Sequence, residues 1–244
     1  KSLDISKIDL SFMLGELERR KAETLAKVKE KGLQHKNSAL KLPTVLHRIA
    51  LIGSPGTSGF RDFVHHVLHN EWLFRFEITV FPASVQGKNA AAQICNSLDK
   101  ANESNSDVIV LIRGGGSPLD LDCFNDLELA MKIGKLTTPV LTGIGHETDF
   151  SIADFVAHRY FKTPTDVGDF VVDKSLMFSS MLIDIATRIG SRSKTIINRE
   201  KTNLSNAKTT LLDLPIRLLH KETSSLDKIK VDLYREFQRV FTKQ

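Results

Sequence analysis

The chain has 244 residues, room for one sizeable domain and an extension, and 41% hydrophobic with 26% charged residues is the balance of an ordinary folded protein with a real core. No apolar run approaches the roughly 20 residues of a membrane span, and the opening Lys1-Ser2-Leu3-Asp4 has no signal-peptide pattern, so a cytoplasmic protein without a membrane partner is expected. Cys95 and Cys123 are too few for a disulfide framework and lack metal-ligand spacing, which suits a reducing compartment.

Residues 14 to 32 read as a helix. Leu14, Leu17, Leu25 and Val28 fall near helical spacing among Glu, Arg and Lys, and Gly32 suits a stop. This helix and the linker to Pro43 make a first segment, residues 1–43. Then the pattern changes to short apolar runs at 48–52, 76–81, 107–112 and 139–142, separated by amphipathic stretches near 59–68, 88–102 and 121–133. Such alternation predicts an open, mostly parallel four-stranded sheet with helices on both faces, an α/β domain over residues 44–173. The runs at 49–52 and 108–112 are wholly apolar, as strands buried on both sides are.

From about Lys174 the chain reads as a long helical, coiled-coil-like arm, residues 174–244. Leu182, Ile185, Ile189, Ser193 and Ile196 step by three and four, as do Leu204, Ala207, Leu211 and Leu214, with Pro215 expected to break or kink the helix. Between 175 and 244 there are 13 Lys and Arg against 7 Asp and Glu, a net of +6, leaving 21 against 22 and a net of −1 in the rest. The excess positive charge therefore sits in the arm, where it solvates a helix or attracts a polyanion. So thin an apolar seam is marginal alone and calls for a partner helix, from another subunit or by self-association.

The chemistry gathers where the strands end, the edge at which open parallel sheets bind ligands. After the first strand come Ser54, Pro55, Gly56 and Thr57, a small polar turn before a helix whose N–H groups can cradle a phosphate, followed by Arg61 and Asp62. It has neither the Walker lysine nor dinucleotide-fingerprint spacing. After the second come Gln86 and Gly87. After the third, Arg113 precedes Gly114, Gly115, Gly116 and Ser117: a bidentate fork for phosphate oxygens beside backbone that a ligand can approach closely. After the fourth, Gly145-His146-Glu147-Thr148-Asp149 packs an imidazole and two carboxylates into four residues, suited to general acid–base work, without the second His of a zinc motif. His65, His66 and His69 read as surface or half-buried helix residues with no acidic cluster around them.

Several segments occur in one order: Leu14-Gly15-Glu16-Leu17-Glu18-Arg19-Arg20-Lys21; Ser54-Pro55 with Arg61-Asp62; Phe81-Pro82-Ala83-Ser84-Val85-Gln86-Gly87; Arg113 to Ser117; Gly145 to Asp149; Ala153-Asp154-Phe155; and Thr163-Pro164-Thr165. Over residues 12–174 the chain resembles the large subunit of exonuclease VII. The resemblance implies degradation of single-stranded DNA from its ends to short oligonucleotides, in complex with small helical subunits held along the arm. It also implies Asp62, Arg113, His146 and Asp149 as catalytic residues. Asp62 and Asp149 would orient His146 or hold a divalent ion, and they are compatible with Mg²⁺ without demanding it. Family members begin with an OB-fold and carry a longer helical region, so this chain is expected to be a fragment. It departs from the family's pattern at Asp120-Leu121-Asp122, which keeps one acidic residue of the usual pair and lacks the Trp, and at Gly56-Thr57 in place of Thr-Gly. Two other classes of function share these residues: a non-catalytic phosphate- or nucleotide-binding module, and a scaffold whose helical arm recruits partners.

Overall fold

The computed structural model describes residues 10–87, 89–114, 118–145 and 150–241. It divides into two compact units, Lys1–Ser180 and Met181–Gln244.

In the first unit, helix α1 (Leu10–Glu30) precedes strand β1 (Arg48–Gly53), helix α2 (Ser58–Leu68), strand β2 (Glu77–Pro82), helix α3 (Ala90–Glu103) and strand β3 (Val108–Ile112). A 3₁₀ helix (Pro118–Asn125), helix α4 (Leu127–Ile133), strand β4 (Val140–Gly143), helix α5 (Ile152–Val156) and strand β5 (Arg159–Phe161) follow, and then helix α6 (Pro164–Phe241). The sheet has five strands, not four, in the order β2-β1-β3-β4-β5, and every pairing is parallel. The fifth escaped the sequence pattern because it is three residues long at the sheet edge, too short to alternate visibly. The single helix expected over 121–133 is divided at Asp126, whose carboxylate accepts from the N–H groups of Glu128 and Leu129 and so starts α4 afresh.

Alternation along the central strands sends side chains to two cores. Ile49, Leu51, Val108, Val110, Ile112 and Leu141 pack with Phe63 and Val67 of α2 and with Val167 and Val171 of α6. Ala50, Ile52, Ile109, Leu111 and Val140 pack with α3, α4 and α5 and with Val28 of α1. Strands β1 and β3 are buried on both faces, which is why their sequences are unbroken apolar runs. The first turns of α6 thus belong to the sheet's core, and the helical region starts at Pro164. Thr163 and Asp166 explain why: the Asp166 carboxylate accepts from the Thr163 N–H at 3.1 Å, and the Thr163 hydroxyl accepts from the Asp166 N–H at 3.1 Å. With Pro164 at the first helical position this is a complete helix start.

In the second unit α6 continues without a break through Pro215. A proline interrupts one backbone hydrogen bond, and the long run of helix on both sides absorbs that loss. The seam residues Leu182, Ile185, Ile189, Ile196, Leu204, Leu211 and Leu214 are all exposed in the chain by itself.

One half-buried carboxylate fixes the amino ends of β1 and β3. Asp107 accepts from the N–H of His47 at 3.0 Å, the N–H of Arg48 at 2.8 Å and the Arg48 guanidinium at 2.9 Å. Burial pushes its pKa up, but the hydrogen bonds from Arg48 and His47 outweigh this and hold it below the usual carboxylate value. Because the folded state favours the charged form, this stabilisation is fully present above the unfolded pKa and is lost as pH falls through the folded one. Asp107→Asn is therefore expected to cost about 1–2 kcal/mol at neutral pH, with the two proteins converging at acid pH. Thermal unfolding from pH 7 downward checks both parts.

Candidate active site

The strand order reverses between β1 and β3, the place where two neighbouring loops diverge and leave a crevice. The loop after β1 is a turn: the Thr57 N–H donates to the Ser54 carbonyl at 3.3 Å, its hydroxyl donates to the same oxygen at 2.9 Å, and Gly56 takes a positive φ of 93°. Thr57 is the N-cap of α2 but gives its side chain to that turn and makes no cap hydrogen bond. The first N–H groups of α2 thus receive no capping hydrogen bond from Thr57, and uncapped groups of this kind can bind an anion.

The loop after β3 lies against this turn. Arg113 is 6% exposed, and its N–H donates to the Gly143 carbonyl at 3.2 Å, carrying the β3–β4 pairing one residue past the strand. A Cβ at Gly114 would stand 2.7 Å from Thr57 Cβ. One at Gly59 would stand 2.8 Å from the Arg113 carbonyl oxygen and 2.9 Å from both Gly114 Cα and Pro164 Cγ. The start of α2, the end of β3 and the start of α6 therefore meet at contact distances that only glycines permit. The sequence predicts that Gly114 lets backbone approach a phosphate; its neighbour in the structure is Thr57, so it serves first to let two loops touch.

Of the residues expected to bind phosphate or DNA, Ser54 and Thr57 are half-buried in the turn, and Pro55 and Gly56 are exposed. Gln86 is exposed in the β2–α3 loop, where its carbonyl accepts from the Ser84 hydroxyl at 2.8 Å and Gly87 turns the chain with φ of 90°. Of the residues expected to be catalytic, Arg113 lies at the switch point and Asp62 is exposed on α2, the helix whose N-terminus enters it. Gly115, Gly116, Ser117, His146 and Asp149 lie outside the described residues.

The flanks of residues 146–149 are nonetheless defined. Asp154, 6% exposed, accepts from the Thr142 hydroxyl at 2.5 Å, from the Ser151 hydroxyl at 2.7 Å and from the Ser151 N–H at 3.0 Å. It thus ties the end of β4 to the start of α5. Burial raises its pKa, and the hydrogen bonds from Ser151 and Thr142 work against that rise. The Ile152 N–H donates to Asn125 Oδ1 at 3.1 Å, and the Lys21 ammonium donates to the Phe150 carbonyl. Beyond the family resemblance, the structural work of Asp154, Thr163 and Pro164 is visible in the sequence as capping patterns, Ser151-x-x-Asp154 and Thr163-Pro164-x-Asp166.

At the other end of α2 the histidine cluster is not free of carboxylates: His66 Nε2 lies 2.6 Å from an oxygen of Asp169, brought over by α6. His65 and His69 stack at 4.4 Å. Among the described residues no three His, Cys, Asp or Glu side chains are grouped as metal ligands.

The family described as "Exonuclease VII, large subunit" matches residues 33–244. The chain belongs to the exonuclease VII large subunit family. It is 36% identical to the exodeoxyribonuclease 7 large subunit of Campylobacter lari over 73% of this chain and 46% of that protein. It is 32% identical to the namesake of Pseudomonas syringae pv. tomato over 90% of this chain and 47% of that protein, and 28% identical to that of Clostridium kluyveri over 90% and 55%. The chain thus spans about half the length of these curated members of the exonuclease VII family.

The glycine contacts make a direct prediction. Gly59→Ala must push apart backbone at the switch point and is expected to cost about 1–3 kcal/mol. Gly15→Ala, in α1 with nothing within 4 Å of the new Cβ, is expected to add about 0.5–1 kcal/mol by relieving a helical glycine. Denaturant midpoints of the two variants against the parent test the contrast.

Proposed function

We propose that this chain is the phosphodiester-cleaving part of an exodeoxyribonuclease, hydrolysing single-stranded DNA from its ends to short oligonucleotides. The observation that carries the reading is the switch point itself: Arg113, buried and fixed by backbone pairing to β4, stands beside the open N-terminus of α2. The backbone of Arg113 and Gly114 lies against the first turn of α2, and in this reading the Arg113 guanidinium stabilises charge on phosphoryl oxygens as the bond breaks. His146 supplies the proton transfer, as general base for water or general acid for the leaving oxygen. Asp62 and Asp149 orient His146, or hold Mg²⁺, which takes carboxylate oxygens and would supply charge neutralisation at the phosphate.

Two further elements of the reading follow from the helix and the cysteines. The exposed apolar residues of α6 between Leu182 and Val240 offer a seam for small helical subunits, or for a second copy of the chain when these are absent. Neither Cys95 nor Cys123 is in a disulfide, and among the described residues no helix is long and apolar enough to cross a membrane. A cytoplasmic setting accommodates both.

The test is release of acid-soluble fragments from end-labelled single-stranded DNA, with and without chelator. Arg113→Ala and His146→Ala are each expected to lower turnover about 100-fold or more while strand binding changes only a few-fold. Turnover that survives His146→Ala would refute hydrolysis at this site, and binding without turnover in the parent chain would leave a phosphate-binding module. Loss of turnover with chelator and its return with Mg²⁺ would assign Asp62 and Asp149 to the metal; a chelator-independent rate would assign them to His146.

A further inference from the structure

Resting on the nuclease reading above, we infer that Phe150 and Tyr160 form a stacking platform for an unpaired base beside the cleavage segment. Phe150 is the residue directly after Asp149. Tyr160 is paired in the sheet with Thr142, one residue before the carboxyl end of β4. The two rings meet edge to face at 4.9 Å and 77°, and Phe155 of α5 meets Phe150 at 6.4 Å and 86°. Phe155 is half-buried against the core, whereas Phe150 is 40% and Tyr160 54% exposed. One ring thus anchors the array in the protein and two present themselves to solvent.

Three properties suit this array to a single DNA strand. First, it is held in place: Phe150 is fixed by the Lys21 ammonium on its carbonyl and by its two aromatic neighbours, and Tyr160 by the β4–β5 pairing. Little ordering remains to be done when a base arrives. Second, cations border it. Lys21 lies at the Phe150 backbone, and the Lys29 ammonium stands 5.9 Å from the Phe155 ring centre. These complement a phosphate backbone passing over the rings. Third, aromatic stacking accepts every base through its π face, and only bases that are not already stacked in a duplex have a face to offer. The platform would therefore favour single strands over duplexes without favouring any sequence.

The experiment measures binding of fluorescent oligothymidylate to the whole chain by anisotropy, in the His146→Ala background so that the strand survives. Tyr160→Ala and Phe150→Ala are each expected to weaken binding about 5- to 100-fold. Tyr160→Phe should stay within about two-fold of the parent, because stacking needs the ring and not the hydroxyl. An oligomer of abasic spacers with the same phosphates should bind parent and alanine variants alike, and the dependence on salt should keep its slope. Equal affinity of the alanine variants and the parent for oligothymidylate overturns the platform, as does an equal loss on the abasic strand. Failure of the nuclease reading looks different: the parent chain with His146 intact would then release no fragments, whatever stands at 150 and 160. A chain that cleaves, and whose alanine variants bind and cleave as the parent does, keeps the nuclease reading and loses the platform.

Discussion

The structure of the first unit depends on a close approach of backbones where the strand order reverses. Two loops from β1 and β3 and the start of α6 occupy the same few ångströms, and Gly59, Gly114 and Gly143 stand where a Cβ would come within 3 Å of a neighbour. In a close-packed interior such a junction cannot be loosened locally: pushing one loop away displaces the helix that follows it. That constraint sets the N-terminus of α2 against Arg113, and it holds α6 against the end of β4, where a Cβ at Gly143 would lie 2.8 Å from Val167 Cγ2. Chemistry at this edge inherits its geometry from packing.

Polar side chains with few alternatives complete the frame. Asp107 fastens the amino ends of β1 and β3, and Asp154 joins the end of β4 to the start of α5. Asn37, fully buried, accepts from the Val140 N–H at 2.8 Å and donates to the carbonyls of Ile133 and Thr138. Asp107 and Asn37 satisfy backbone groups at strand ends, where these lose their ladder partners, and Asp154 does the same for the N-cap residue of α5. The two carboxylates are shifted in opposite senses. Asp107 is held low by Arg48 and backbone donors, whereas burial raises Asp154, whose donors are neutral.

Helix α6 is one element with two physical characters. Its first turns bury Val167 and Val171 in the sheet's core. Its continuation after Ser180 exposes nearly every large apolar side chain it carries. An exposed apolar seam of that length is the mark of a surface built to be covered. Its lysines and arginines, in excess over acids, keep the uncovered helix solvated.

The sequence by itself determined the strands, because a strand buried on both faces must be a short unbroken apolar run, and β1 and β3 are such runs. It determined the succession of loops carrying Arg113, Gly114 and the Ser54–Thr57 turn for the same reason, since glycine and small polar residues after a strand mark its carboxyl end. It also held the helix starts at Ser151 and Thr163, whose capping patterns are local and therefore legible. Tertiary structure alone decided what lies far apart in the chain: that β5, too short for any periodicity, closes the sheet edge; that Gly114 makes room for Thr57; that Asp169 reaches His66; and that Phe150 and Tyr160 meet. Those contacts depend on strand order and register, and a periodicity of two or 3.6 residues carries no information about which strands become neighbours.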